Sequence, residues 1–313
     1  MNNKLSIIII SAVIILTGFF IITISLNDTS NNNDKEQPPQ EQAVENKEAE
    51  QKKQEEQKEK SQPEKDESAD NGDASIGQGI KKAVTSVLES AVDLFIKKDL
   101  KIVAIGDSLT QGVGDESEQG GYVGILENTL TDDETNPDFN IENYGKRGNR
   151  TDQLIERMKG KEMSESIEEA DIIMITIGAN DVMAVVKDNF HDLDYGDFVA
   201  VHEEYKQRLN EIFQIIYDKN PDVHTYLIGL FNPFAGYFNY IPEMGQIMDD
   251  WNQIGRNTVA KYDNATFIPI NDLFLTTEED LLWEDHFHPN QKGYKLIAER
   301  VLEYIRPEIE QQQ

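Results

Sequence analysis

The chain has 313 residues, 59 of them Asp or Glu against 29 Lys or Arg, for a formal net charge of −30, and it contains no cysteine. Charge of that sign and size repels phosphate backbones, so nucleic acid is not an expected partner. Without cysteine, a disulfide framework and a lipid-modified cysteine anchor are both excluded.

The first predicted element is a membrane span. Leu5 to Leu26 are 22 consecutive uncharged, mostly apolar residues, including Ile7–Ile10 and Phe19–Ile22. As a helix they would reach roughly 33 Å, enough for a hydrocarbon core of about 30 Å. Lys4 precedes the run and Asp28 follows it, which leaves the N-terminus cytoplasmic and the remainder outside. The alternative, a secreted protein with a cleaved signal peptide, calls for an apolar core of about 7–15 residues and an Ala-x-Ala-like site. The run has neither feature. Residues 1–26 therefore read as an uncleaved single-pass anchor in the cell membrane.

Residues 27–78 carry no aromatic side chain, and Val44 and Ile76 are their only large aliphatic residues. Such a stretch cannot bury enough apolar surface to offset its ordering entropy, and it reads as a disordered, charged linker. The remaining residues, 79–313, are long enough for one well-buried domain.

Within that domain, Gly79 to Lys98 places apolar residues at helical spacing. Strand-like runs follow at Lys101–Ile105, Phe139–Asn143, Ile172–Ile177, Val223–Leu230 and Thr266–Ile270. Helical patterns separate them at Tyr122–Leu130, Asp152–Met158, Tyr205–Lys219 and Gln246–Lys261, and a last amphipathic helix covers about Gln291 to Ile305. Alternating strand and helix, with nearly continuous apolar strands, is the pattern of a parallel sheet covered on both faces. The expected fold is α/β: a three-layer α/β/α sandwich around five parallel strands in flavodoxin-like order. The polar segment 187–204 is a candidate lid.

Chemistry enters at strand ends. The first strand runs into Gly106-Asp107-Ser108, which delivers a hydroxyl to the C-terminal edge of the sheet, where open α/β folds place their sites. A serine hydroxyl needs a base. Asp285-His286-Phe287-His288-Pro289 supplies an imidazole with a carboxylate three residues earlier. Asp285 and His288 can meet across one turn, with Asp285 accepting from Nδ1 and Nε2 left to take the serine proton. Proline suits a first helical position, so Pro289 and the helix after it would fix that turn. His224 falls within a strand-like run, and His191 and His202 lie in a polar stretch without a partner pattern. His288 is therefore the candidate base, ahead of His286. Gly178-Ala179-Asn180-Asp181 closes another apolar run. The Gly-x-Ser-x-Gly elbow of α/β-hydrolases is absent.

Taken together, these segments resemble the SGNH hydrolases, also called the GDSL esterase/lipase family, over about residues 100 to 305. Gly106-Asp107-Ser108-Leu109 is similar to the family's first block. Asn143-Tyr144-Gly145-Lys146-Arg147-Gly148 is similar to the second, Gly178-Ala179-Asn180-Asp181 to the third, and Asp285-His286-Phe287-His288 to the fifth. The nearest likeness is to membrane-anchored members from Gram-positive bacteria. The resemblance implies the same three-layer fold, and its Asp-x-x-His spacing points to His288.

An ester substrate builds negative charge on its carbonyl oxygen, and donors must already converge there. The candidates are the backbone N–H of Ser108, the backbone N–H of Gly148 and the side-chain amide of Asn180. Asp107 and Asp181 are read as loop-holding residues. The aromatic loop from Phe231 to Tyr240 offers Phe234, Tyr237 and Phe238 as a wall for an acyl or sugar group, or as plain packing. The expected activity is therefore an extracytoplasmic serine esterase or lipase acting through an acyl-enzyme, with no metal or other cofactor. Its substrate is expected to be an acyl lipid or an O-acylated envelope glycan. Two readings from other classes compete: a metallohydrolase using Asp107, Asp285, His286 and His288, and a non-catalytic surface binding module on the same fold.

Overall fold

The computed structural model describes residues 87–88, 100–131, 139–189, 191–234, 242–275 and 280–311. The anchor and linker expected over 1–78 lie outside the described residues, as does most of the helix expected over 79–98. Val87 and Leu88 are helical and pack against the core. Among the described residues no helix is long and apolar enough to cross a membrane.

Five strands form one sheet: β1 (Ile102–Gly106), β2 (Ile141–Gly145), β3 (Ile172–Thr176), β4 (His224–Ile228) and β5 (Ala265–Ile268). Their order is β2-β1-β3-β4-β5 and every pairing is parallel. This is the flavodoxin-like order expected from the sequence. The central strands β1 and β3 are buried at every position, which is why they read as unbroken apolar runs.

Side-chain alternation sends successive residues to opposite faces. Val103, Ile105, Ile173, Ile175 and Leu227 face one layer of helices, namely α3 (Thr151–Met158), α4 (Lys161–Glu169), α5 (Ala179–Asp188), α6 (Tyr195–Lys219) and α7 (Pro242–Val259). Ile102, Ala104, Ile172, Met174, Tyr226 and Ile228 face the other, built on α2 (Gly121–Leu130), the short α8 (Asn271–Leu275) and α9 (Gln291–Gln311). The remaining short helix, α1 (Ser108–Gln111), starts at the end of β1.

Two differences from the expected boundaries are informative. β2 begins at Ile141 rather than Phe139, because its pairing with β1 matches Ile102 to Ile141 and carries the ladder on to Gly145. Its exposed Glu142 and Asn143 mark an edge strand, and the buried Phe139 just ahead of it drew the expected start two residues early. Helix α6 begins at Tyr195, ten residues earlier than expected, under a capping box in which Asp197 N–H donates to Asp194 Oδ1 at 3.2 Å and Asp194 N–H to Asp197 Oδ2 at 2.9 Å. That helix takes in residues 195–204 of the segment proposed as a lid: Leu193 just before it and Phe198 within it are buried, and His202 lies edge-on to Trp251 of α7 at 4.7 Å. Residues 191–204 are thus part of the scaffold.

Register aligns the strand ends. Gly106 pairs with Gly145 and with Thr176, and Thr176 with Ile228. The loops leaving β1 to β4 therefore rise from one level edge, and the motif residues sit on those loops.

Candidate active site

The turn after β1 is close-packed. Asp107 N–H extends the ladder by donating to Thr176 O at 3.1 Å. A side chain on Gly106 would place its Cβ 2.2 Å from that same carbonyl, so only glycine fits. Asp107 caps α1: its Oδ1 accepts Leu109 N–H at 3.0 Å and the Thr176 hydroxyl at 3.0 Å. Burial pushes the Asp107 carboxyl up to about 7, against the lowering effect of those hydrogen bonds. Ser108 opens the helix and is nearly buried.

The C-terminal motif folds back onto it. Trp283 N–H donates to His288 O and His286 N–H to Trp283 O, both at 2.8 Å, closing a tight turn. Within the turn, Asp285 Oδ1 accepts Phe287 N–H at 3.0 Å and His288 N–H at 2.9 Å. Its Oδ2 lies 2.5 Å from His288 Nδ1. On the opposite side of the ring, His288 Nε2 lies 2.9 Å from Ser108 Oγ. Burial raises the Asp285 carboxyl, but the ring hydrogen bond, the ring charge and the two backbone N–H groups outweigh it and hold the group below the usual carboxylate range. A charged Asp285 fixes the proton on Nδ1, which leaves Nε2 as acceptor toward the serine.

His286, the neighbouring candidate, is exposed and sits at φ 54 on the outside of the turn. One expected detail changes. Helix α9 starts at Gln291, and Asn290 rather than Pro289 prepares its start, its Oδ1 accepting Lys292 N–H at 3.0 Å and Gly293 N–H at 3.1 Å. Pro289 instead bridges to Leu282.

The remaining candidates occupy the two loops flanking the serine turn. Gly148 follows β2 at φ 78, a left-handed conformation that favours glycine. Its loop is tied to the turn by Lys146 N–H to Gly106 O at 3.0 Å and Arg147 N–H to Gln111 Oε1 at 2.5 Å. Arg157 braces it further, donating to Asn149 Oδ1 at 2.5 Å and Tyr144 O at 2.7 Å. Asn180, in the first turn of α5, donates from Nδ2 to Asn149 O at 3.0 Å. Ser108, Gly148 and Asn180 thus come from three adjacent strand ends, the last two joined through Asn149. A primary amide has two N–H groups, so Asn180 retains a second donor. Asp181 holds the frame: Oδ1 accepts the Thr151 hydroxyl at 2.5 Å and Oδ2 accepts Thr151 N–H at 3.1 Å. Burial raises its carboxyl.

Beside Ser108 and His288 opens a narrow apolar cleft. Val182, Met183, Leu230, Phe231, Phe234 and Met248 contribute to its walls. Phe231 is stacked on Phe274 at 3.9 Å, and Phe287 meets His288 edge-on at 5.1 Å. Phe234 borders the cleft and is also buried in the core, so it serves both of the roles named for it, whereas Tyr237 and Phe238 lie outside the described residues. Among the described residues, no group of three or more His, Asp or Glu is gathered closely enough to hold a metal ion, so the four ligands of the metal alternative are not assembled as a set.

Sequence reasoning missed Thr110, Tyr122 and Thr176, whose hydroxyls lie beneath the serine turn. The available signal was Thr176 itself, a lone polar residue inside the apolar run Ile172–Ile177.

A serine hydroxyl, an imidazole and a buried carboxylate in line, at the C-terminal edge of a doubly wound parallel sheet, define a serine hydrolase. The family model described as GDSL-like Lipase/Acylhydrolase matches residues 104–296, and the chain belongs to that family of ester-hydrolysing enzymes. It is 35% identical over 214 residues to the uncharacterized protein YpmR of Bacillus subtilis, covering 68% of this chain and 84% of YpmR. It is 24% identical over 209 residues to the spore germination lipase LipC of Bacillus licheniformis, covering 64% of this chain and 94% of LipC. The crystal structure of the lipase Lip_vut3 from a goat rumen metagenome shares the fold, with a TM-score of 0.54 at 22% identity over 64% of this chain and 95% of that one.

Proposed function

We propose that this protein is an extracytoplasmic, membrane-tethered serine esterase whose substrate carries an apolar acyl group. One observation carries the reading: the line Asp285–His288–Ser108, with contacts of 2.5 and 2.9 Å, ends at the mouth of an apolar cleft. In the first half-reaction Ser108 Oγ attacks the ester carbonyl while His288 Nε2 takes its proton. The oxyanion forms against Ser108 N–H, Gly148 N–H and Asn180 Nδ2. His288 then returns the proton to the departing alcohol, leaving an acyl ester on Ser108. In the second half, water attacks that ester, His288 relays its proton to Ser108, and the carboxylic acid leaves. Asp285 stays ionised throughout, holding the ring and stabilising the imidazolium.

The apolar walls support an acyl chain rather than a sugar in the cleft, and similarity to a protein named as a lipase points the same way. An acyl lipid is the preferred natural substrate, with an O-acylated envelope glycan second. The tether rests on the apolar run Leu5–Leu26 and the charged stretch after it. The test is fluorophosphonate labelling of the 79–313 fragment, with and without chelator, beside Ser108→Ala. Labelling that survives chelator and vanishes with Ser108→Ala is the expected result. Labelling of Ser108→Ala, or loss with chelator, overturns the serine mechanism. Fractionation of cells expressing the full chain tests the tether, which fails if the intact protein is released by salt washing alone.

A further inference from the structure

Directly beneath Ser108 runs a chain of buried hydroxyls. The Tyr122 hydroxyl lies 3.0 Å from Thr110 Oγ1, Thr110 Oγ1 lies 2.7 Å from Thr176 Oγ1, and Thr176 Oγ1 donates to Asp107 Oδ1 at 3.0 Å. All four residues are at most 3% exposed. They come from four separate elements: α2, α1, β3 and the end of β1. Gly106 leaves room for them, since a Cβ there would stand 2.6 Å from Thr176 Oγ1 and 3.0 Å from Thr110 Oγ1.

The proton count sets a direction. A carboxylate only accepts, so Thr176 must donate to it. Thr176 can then accept from Thr110, at 2.7 Å against 3.4 Å to the competing acceptor Ile105 O, and Thr110 from Tyr122, so that every hydroxyl in the line is satisfied. Aligned hydroxyls polarise one another and strengthen the terminal bond. That terminal oxygen, Asp107 Oδ1, also holds Leu109 N–H, the residue after the nucleophile.

We propose that Tyr122, Thr110 and Thr176 are positioning residues, a one-way hydroxyl relay that holds Asp107 as a carboxylate and through it fixes the backbone at Ser108. This extends the serine-esterase reading and rests on it. When Asp107 takes up a proton, its Oδ1 accepts only as a neutral and weaker partner, the cap on Leu109 N–H loosens, and turnover falls. The other ionisable groups around Asp107 are Asp181 on α5, Tyr205 on α6, Tyr294 on α9 and His288 across the cleft. Burial raises both the Asp107 and the Asp181 carboxyls, with Asp181 adding to the rise at Asp107. The relay works against that rise.

The experiment is the pH dependence of kcat for an activated short-chain ester in Thr176→Val, Thr110→Val and Tyr122→Phe, each alone and with Asp107→Asn. The three substitutions remove hydroxyls while nearly keeping shape, and the amide introduced by Asp107→Asn keeps an accepting oxygen without an ionisable group. The acid-side midpoint of kcat is expected to move up by about half a unit or more in Thr176→Val, with smaller shifts in Thr110→Val and then Tyr122→Phe, at unchanged KM. Thr110→Ser restores the wild-type midpoint. In the Asp107→Asn background none of the three shifts it further. The relay is wrong if the substitutions lower Tm while leaving the midpoint in place, or if they move it equally when combined with Asp107→Asn. Should one variant fail to fold, the other two still decide. Failure of the underlying reading is distinct, since it shows as activity in Ser108→Ala.

Discussion

Two ends of the same sheet each carry a histidine against a carboxylate. At the C-terminal edge His288 Nδ1 meets Asp285 at 2.5 Å, and at the N-terminal edge His224 Nδ1 meets Glu308 at 3.1 Å. The first pair is buried, its imidazole 6% exposed, and a serine occupies the second ring nitrogen. In the second pair the His224 side chain is 37% exposed. An imidazole beside a carboxylate is thus a common contact. Burial orders the ring and strengthens the electrostatics, and the third partner makes the contact useful for proton transfer. Parallel strands put the difference at the C-terminal edge, because there four loops converge with their ends in register.

The contrast can be broken most severely at the buried end. Ser108→Ala and His288→Ala are each expected to lower kcat by about 10⁶-fold, and Asp285→Asn by about 10⁴-fold, because the latter keeps the base but spoils its orientation and charge. Steady-state rates on p-nitrophenyl esters check this. An active His288→Ala beside a dead His286→Ala would reassign the base to the exposed neighbour.

Next in size is Asn180→Ala, expected to lower kcat by about 10²–10³ with little change in KM, the effect of removing one oxyanion donor. A change confined to KM would mark the amide as a ground-state contact instead.

A smaller effect is expected in the cleft. Phe234→Ala should penalise longer acyl chains over acetate by about 0.8 kcal/mol for each methylene that loses its burial. Kinetics across ester lengths measure this, and a uniform loss would leave Phe234 a packing residue alone.

The buried carboxyl beside Ser108 carries a stability signature. The folded-state value of Asp107 is raised from 3.8 to about 7. Between those values the folded protein holds a proton that the unfolded chain has released, so this contribution to stability is fully present below pH 3.8 and is lost as pH rises through about 7. Asp107→Asn should flatten that window in thermal melts and raise Tm at pH 8. An unchanged Tm–pH profile would count against the burial effect.

At the other edge, His224→Ala should leave kcat/KM within about twofold and cost at most about 1 kcal/mol, since partly exposed pairs are weak. A large loss of activity there would erase the distinction between the two edges.

Much of this is legible in the amino-acid order. β1 and β3 are central and covered on both faces, so their sequences are apolar throughout and their strand ends could be located from the pattern alone. Ser108, Asp285 and His288 followed because serine chemistry requires a base and an orienting carboxylate, and Asp-x-x-His spacing closes within one turn. Edge strand β2 was misplaced by two residues because the buried Phe139 precedes the ladder and the polar Glu142 and Asn143 leave no apolar run to mark where it ends. The first ten residues of α6 were hidden because their helix is signalled by an Asp194–Asp197 cap and only a few apolar contacts.

Local signals thus carried the number of strands, their parallel direction and the candidate reacting groups, because each depends on periodicity or on short-range spacing. Only the tertiary structure decided which polar residues meet across distant segments. The hydroxyl line under Ser108 joins Thr110, Tyr122 and Thr176, the last two separated by 12 and 66 positions from Thr110 in the chain. The second loop reaches Asn180 through Asn149, 31 positions away. Such contacts leave no periodic trace in a sequence, since they depend on strand register and on the packing of loops at one edge of the sheet.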